Sequence, residues 1–496
     1  MTTTAAGDAA VARLNKATEA FEKIITGASN QVVDVPGYGN QPTLAARVDE
    51  RLDETTATAA AEADRSRDEA DRATTQANAA ANSVTLAAAE YNKAQIQADR
   101  AQSEADRAAQ ITGLDTVSDA VALAALPLPD VWAPLSDSLR MITGYGRDVL
   151  VGSDVVARMV NFSRNSTATY IGKDGQLKTA AENEPRFEKE GLLIEGQSTN
   201  LIVRSEKDYV TGSPFTNYTV ETGLLLDGRK AVKFIPNAPR SPVAITTALS
   251  SNQSVTVGWH TASFLCDVDL TGDNGYMRGV IAPLVVRKIR DGLYRASVTI
   301  NIPTVGANEL HIYPSVAVTI TGLQLEALPF ASSYIPTNGA AVTRAADQAW
   351  LPAAGNRFIG GLYATACEFD LLGRVAGASS SRLVDFDNSG GADRQYISIT
   401  ENGQLQCVMG PSQTAASVTG KLAGRAAMRM SNFALNVMLD GVAGSSVTAT
   451  GIGLSANNRI VLMNTSIFNL PSYGHIRNLR MWSKHPISND QLRTAV

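Results

Sequence analysis

Charge is scarce in this chain of 496 residues. Asp, Glu, Lys and Arg together make up 18% of it, and the formal net charge is −5. No global positive field therefore draws it to nucleic acid. Cysteine is scarcer still. Cys266, Cys367 and Cys407 are odd in number, widely spaced and without a CxxC pair, which argues against a disulfide framework and a cysteine-type zinc site. They read as buried thiols. The histidines are His260, His311, His475 and His485, none in an HExxH arrangement, so neither metal nor cofactor is expected. A nucleophile elbow, a phosphate-binding loop and a dinucleotide fingerprint are all missing. No window approaches about 18 apolar residues. The N-terminal MTTTAAGDAAVARLNKATEAFEK has neither the basic start nor the apolar run of a secretory signal. The expectation is a protein made in a cytosol and not inserted in a membrane.

Proline and glycine are missing from residues 44–111, and alanine dominates there. The phrase EADR occurs at Glu62–Arg65, Glu69–Arg72 and Glu104–Arg107, at intervals that are multiples of seven. With Ala63 as heptad position a, the a positions are Ala63, Ala70, Ala77, Val84, Tyr91, Ala98 and Ala105. The d positions are Ser66 and then six alanines. Eleven of these fourteen residues are alanine and none is charged. A 3.5-residue period predicts a left-handed coiled coil with these residues in its core. Glu and Arg at g and c sit three apart on the outer face, each pair adding ~0.2–0.5 kcal/mol. The seven heptads would form a rod of roughly 70 Å.

After residue 112 the pattern changes to short alternating segments. TATYIG and QLKTA flank a KDG turn within a compact collar, residues 113–205. In DGLYRASVTINI, Tyr294, Ala296, Val298, Ile300 and Ile302 share one face. This places a β-sandwich over 206–347. A second sandwich is expected over 348–496, with hairpins at ENG and LDG and a final short helix boxed by Ser488 and Gln491. Residues 1–43 hold a short helical pattern followed by Pro-Gly and Gly-Asn breaks.

Aromatic residues are sparse, at 6%. Because sugars stack an apolar face on a flat ring, Trp259, Tyr276, Tyr396 and Trp482 are the candidate carbohydrate contacts, although each also reads as core. Asp385 and Asp387 share a strand face, as a glycosidase pair would. Asp267 and Asp269 before TGDNG offer hard oxygens for calcium. Turn and surface roles account for both sets, and no catalytic residue is assigned.

FSRNSTATYIGKDGQLKTAAENEPRF, GLLIEGQSTNL and TGLQLEALPFASSYIPTNGAAVTRAAD resemble the tail-fibre and receptor-binding proteins of bacteriophages. The EADR coil, PGYGNQPTLAARV, PDVWAPLSDSLRM and the terminal GHIRNLRMWSKHPISNDQLRTAV are similar to text of the same kind. The resemblance implies a homotrimeric fibre, mainly β after its coil, with a carbohydrate-binding-like and a concanavalin-like sandwich. It implies an N-terminal segment docked to tail, baseplate or portal-proximal proteins of a virion, and distal domains that bind a lipopolysaccharide or capsule; depolymerase relatives usually carry a long β-helix, which this chain lacks, so no enzyme is expected. A polysaccharide-degrading tail enzyme and a structural collar or adaptor are the alternatives.

Overall fold

The computed structural model describes residues 5–112, 126–207, 209, 217–245, 253–277, 279–308, 310–356, 363–386, 395–409, 412–415, 422–431, 434–448, 459–465, 467–484, 487–494 and 496. The chain divides into two units, Met1–Thr116 and Val117–Val496.

In the first unit a helix, Ala5–Thr26, leads into a hairpin, Val32–Val35 with Gly39–Pro42, and then into a helix of 69 residues, Leu44–Thr112. Thr43 fixes the start of the long helix. Its Oγ1 accepts from Ala46 N at 3.1 Å and donates to Ala28 O at 2.9 Å, the bonding expected of an N-cap. Ala20, Val33 and Val35 form a small core. Nothing breaks the long helix because it contains no proline or glycine; at about 1.5 Å per residue it is roughly 100 Å long. The Glu62–Arg65 pair forms on its surface. Ala63, Ala70 and Ala77 are exposed on the single chain. The side chains of Val84, Tyr91, Ala98 and Ala105 lie outside the described residues.

The second unit is mainly β, and its named strands pair antiparallel. One sandwich joins a six-stranded sheet to a four-stranded one. The six-stranded order is Tyr218–Leu226, Arg229–Pro236, Val318–Glu326, Gly258–Cys266, Leu293–Ile302, Val285–Arg290. In Leu293–Ile302 the alternating Ala296, Val298, Ile300 and Ile302 are buried, and the two sheets share one core.

The other sandwich corrects the expected boundaries. Its larger sheet is centred on Tyr473–Trp482. One edge of that strand pairs with Tyr363–Gly373. The other pairs with two strands from the supposed collar, Gly191–Ile194 and Val131–Ala133. Its second sheet ends on Asn161–Ser163, which pairs with Gln348–Pro352. Val131, Leu139, Val160, Leu192 and Ile194 enter the same core as Leu351, Phe369 and Met481. The 113–205 stretch is thus not a free-standing collar. Its strands are too short to bury a face by themselves, so they complete the sheets of 348–496.

Where these parts meet lies a buried ionic network. Arg164, Arg186, Glu195, Glu326, Arg344 and Asp347 are each at most 2% exposed; the three arginines pair with Glu195 and Asp347, and Glu326 joins through the Ser332 hydroxyl that Arg344 also reaches. Asp347 accepts from Arg164 Nη1 at 3.1 Å and from Arg186 Nη2 at 2.6 Å. Glu195 meets Arg186 at 2.7 Å, Arg344 at 2.9 Å and the Ser333 hydroxyl at 2.6 Å. Glu326 accepts from Ser198 Oγ and Gln324 Nε2, both at 2.6 Å. Burial alone would raise the Glu195 carboxyl; the fields of Arg344 and Arg186, with the Ser333 hydrogen bonds, outweigh it and hold the carboxyl at about 2.

Removing one member strands its partners in a dry interior. Asp347→Ala is expected to lower unfolding free energy by about 3–5 kcal/mol, against less than ~1 kcal/mol for Asp148→Ala in an exposed pair, read by urea unfolding. Because the Glu195 carboxyl is depressed in the folded state, its stabilisation is complete above about pH 4.5 and is lost as pH falls towards about 2. The melting temperature should therefore fall through that window; an unchanged melting temperature there would contradict the assignment.

Candidate functional site

The four aromatic candidates do not converge. Trp482 has no exposed surface, and its Nε1 donates to Pro127 O at 2.7 Å. It is a core residue, which corrects its reading as a sugar contact. Tyr396 is 5% exposed, and the Arg382 guanidinium carbon lies 3.1 Å from its ring centroid, so its face is already covered. Tyr276 is half-buried and pairs across the strands with His311, ring centroids 5.0 Å apart. Trp259, 42% exposed, keeps an open ring, but it lies on the six-stranded sheet and Tyr276 on the four-stranded one.

The carboxylate sets are also accounted for. Asp267 accepts from Thr319 N at 2.8 Å, Asp269 caps Thr271, and Asp273 accepts from Ser315 N at 2.9 Å. These aspartates bind backbone in separate places and do not converge as a calcium loop. Asp385 is buried beside Arg382, at 3.3 Å; Asp387 lies outside the described residues. The three cysteines are free and buried, and burial pushes the Cys266 and Cys367 thiols up to about 12, as inert thiols require. The ligating atoms of Glu188, Glu190 and His475 lie within 4.8 Å of one another, and nitrogen with carboxylate oxygens suits zinc. However, Glu188 already accepts from Ile171 N at 2.6 Å and meets His475 Nε2 at 2.9 Å. Glu190 accepts from Arg287 at 2.9 Å, a cation that takes the place a metal would fill. Of these contacts, the Glu190–Arg287 pair is the one that joins the two sandwiches.

The site that does assemble is a cleft of about 520 Å³, within the size range of small-ligand sites. Phe162, Tyr170, Phe187 and Trp350 line it, with Asp137, Arg147, Asn161, Asn183 and Glu184 among them. All but Trp350 come from 113–205. Strand alternation presents the rings. In Gln348–Pro352, Ala349 and Leu351 point into the core and Trp350 lies on the other face; in Arg186–Glu188, Phe187 is half-buried between two buried neighbours and packs its inner side against the core. Trp350 is steadied edge-on by Phe468, centroids 5.9 Å apart.

The ionic network supports the cleft from beneath. Arg164 Nη2 donates to Ala181 O at 2.6 Å and Glu184 O at 2.9 Å, and Arg164 N donates to Asn183 Oδ1 at 3.0 Å. The Arg164 guanidinium also lies 5.7 Å from the Phe162 ring centroid. A hydrogen bond from Lys173 is the main influence that holds the Asp137 carboxyl below its ordinary range. The cleft thus combines flat apolar faces, amides and charged groups on a framework fixed before any ligand arrives. Sequence reading missed it because Trp350 lies some 160 to 210 residues after the rest of the lining. The signal present was Trp350, outward by alternation in a strand whose neighbours are aliphatic.

No protein-family profile matches the chain, and no curated protein does. Among solved structures it is similar to the carbohydrate-binding module CBM40 of the Ruminococcus gnavus IT-sialidase bound to α2,3 sialyllactose (12% identity, 27% of this chain and 82% of that one, TM-score 0.23). It is also similar to domain 4 of AbnA, a GH43 extracellular arabinanase from Geobacillus stearothermophilus, in complex with arabinotriose (18%, 34% and 79%, TM-score 0.24). A third is Trypanosoma rangeli sialidase in complex with sialic acid (11%, 55% and 60%, TM-score 0.24). At these scores the likenesses carry no weight for function.

Two tryptophans separate core from surface. Trp482→Ala should cost about 3–5 kcal/mol of stability, whereas Trp259→Ala should cost under ~1 kcal/mol. Thermal or urea unfolding of both variants checks this; equal losses would contradict the placement of Trp482.

Proposed function

We propose that this protein is a non-enzymatic, oligomeric attachment protein of a bacteriophage tail that binds a bacterial surface glycan. The observation that carries the reading is the cleft, with four aromatic side chains and a polar rim on a rigid antiparallel framework. A pyranose ring offers an apolar face to such rings and hydroxyls to such a rim. The sequence resemblance at 162–201 and 321–347 supports the tail-fibre context and a place in the virion. The heptad seam of Leu44–Thr112 supports self-association, for which a homotrimer is the proposed state. The N-terminal segment is the proposed attachment to tail, baseplate or portal-proximal proteins.

Binding then rests on number. A shallow cleft of this size binds a sugar weakly, and several copies on one coil raise the effective concentration of each second contact, so that avidity exceeds single-site affinity by 10²–10⁴-fold. A depolymerase reading is less favoured. A glycosidase needs an acid whose pKa is raised beside a second carboxylate, and Asp137 in the cleft is shifted the other way. Asp370, which burial raises, does not line the cleft.

In a glycan-array or whole-cell binding assay, Trp350→Ala should weaken binding at least about tenfold, as alanine does at an aromatic anchor, without lowering polymer viscosity in either form. Retained binding would move the site elsewhere. In sedimentation equilibrium the full chain should have the mass of three copies. Ala70→Glu with Ala77→Glu places charge in the seam and should shift that mass towards one copy; an unchanged mass would assign the association to other surfaces.

A further inference from the structure

We infer that the cleft recognises an acidic sugar, one carrying a carboxylate, and that Arg147 is the residue that selects it; this rests on the glycan-binding reading above. The inference comes from how the hairpin Arg147–Val151 with Asp154–Met159 sorts its charges. Its register sets Arg147 opposite Met159 and Asp148 opposite Arg158. Asp148, the neighbouring carboxylate, is consumed by Arg158 at 3.1 Å. Because successive residues face opposite sides of a strand, Arg147 is left on the other face, without a carboxylate partner among the described residues, and it lines the cleft together with Met159.

The remaining charges of the cleft have partners. Asp137 holds Lys173. Glu184 Oε2 accepts from Ala181 N at 2.7 Å. Arg147 is exposed, and among the described residues its side chain's one polar contact is Nη2 to the Met159 thioether sulfur at 3.8 Å, a weak acceptor. A guanidinium in this state is a planar fork of donors, and its natural complement is a planar anion with two oxygens. Among the described cleft residues Arg147 is the one cation without a carboxylate partner, and its planar fork matches a planar sugar carboxylate more closely than a tetrahedral phosphate or sulfate. The aromatic walls, Trp350 above all, then take the ring of the same sugar while Arg147 takes its charge. Selection by charge and adhesion by stacking are thereby carried by different residues.

The test uses the full-length protein on an array of neutral, uronic-acid-type, phosphorylated and sulfated bacterial glycans, followed by carboxyl reduction of whatever binds. The expected result is binding confined to glycans that carry a carboxylate sugar. Reduction to the alcohol should lower affinity at least about tenfold, and Arg147→Gln should lose the same factor with an unchanged melting temperature. Arg147→Lys, which keeps charge but not the fork, should recover only part. Equal binding of native and reduced glycan that still depends on Trp350 would overturn the acidic-sugar assignment and leave the cleft as a glycan site. Binding only to phosphorylated or sulfated glycans would overturn the carboxylate. Binding that neither Trp350→Ala nor Arg147→Gln weakens, or no binding at all, would overturn the site itself and this inference with it.

Discussion

The second unit depends on a handful of buried charges. Arg164, Arg186 and Arg344 cannot be neutralised in a protein, so their burial is tolerable only if Asp347 and Glu195 are placed opposite them with hydrogen bonds on the remaining donors. That requirement fixes more than local geometry. Asp347 reaches Arg164 from one side and Arg186 from the other, while Glu195 holds Arg186 and Arg344. The stretch 162–195, the end of one sandwich and the start of the next thus have one mutually consistent arrangement. Apolar packing alone tolerates small slips; a network of charges that must all be paired tolerates few.

The same network sets the cleft. Arg164 pins the Ala181–Glu184 turn and lies against Phe162. Phe187 follows Arg186 directly, and Trp350 lies three residues beyond Asp347. Rings held by a rigid floor lose little freedom when a ligand arrives, so the small contact area of a sugar is not spent on ordering the site.

Much of the local structure was legible in the sequence. The alternation of Ala296, Val298, Ile300 and Ile302, the hairpin at KDG, and the capping box in which Ser488 N donates to Gln491 Oε1 at 2.8 Å while Gln491 N donates to Ser488 Oγ at 3.1 Å all depend on neighbours a few residues away. The domain boundary at 205 was not legible, because Gly191–Ile194 and Val131–Ala133 find their partner some 280 to 350 residues later, in Tyr473–Trp482. Trp482 was misread for a related reason. Aromatic scarcity made each ring look like a site, but Tyr473–Trp482 is covered on both faces for most of its length, and alternation gives no warning where a strand has no wet side.

The residues that carry the fibre resemblance explain why the ligand stayed hidden. Arg164 in FSRNSTATY, Arg186 in NEPRF, Glu195 in GLLIE, Glu326 in TGLQLE, and Arg344 with Asp347 in VTRAAD are the members of the buried network. Their side chains face inward, where any chain built on this junction meets the same electrostatic demand whatever it binds. The cleft residues alternate with them along the same strands, half-buried Phe187 between Arg186 and Glu188 and Trp350 between Ala349 and Leu351. Nothing in the charge balance of the interior constrains those positions. A shared text of this kind therefore marks a framework, and under the proposed reading the ligand would be set by the residues that alternate with it.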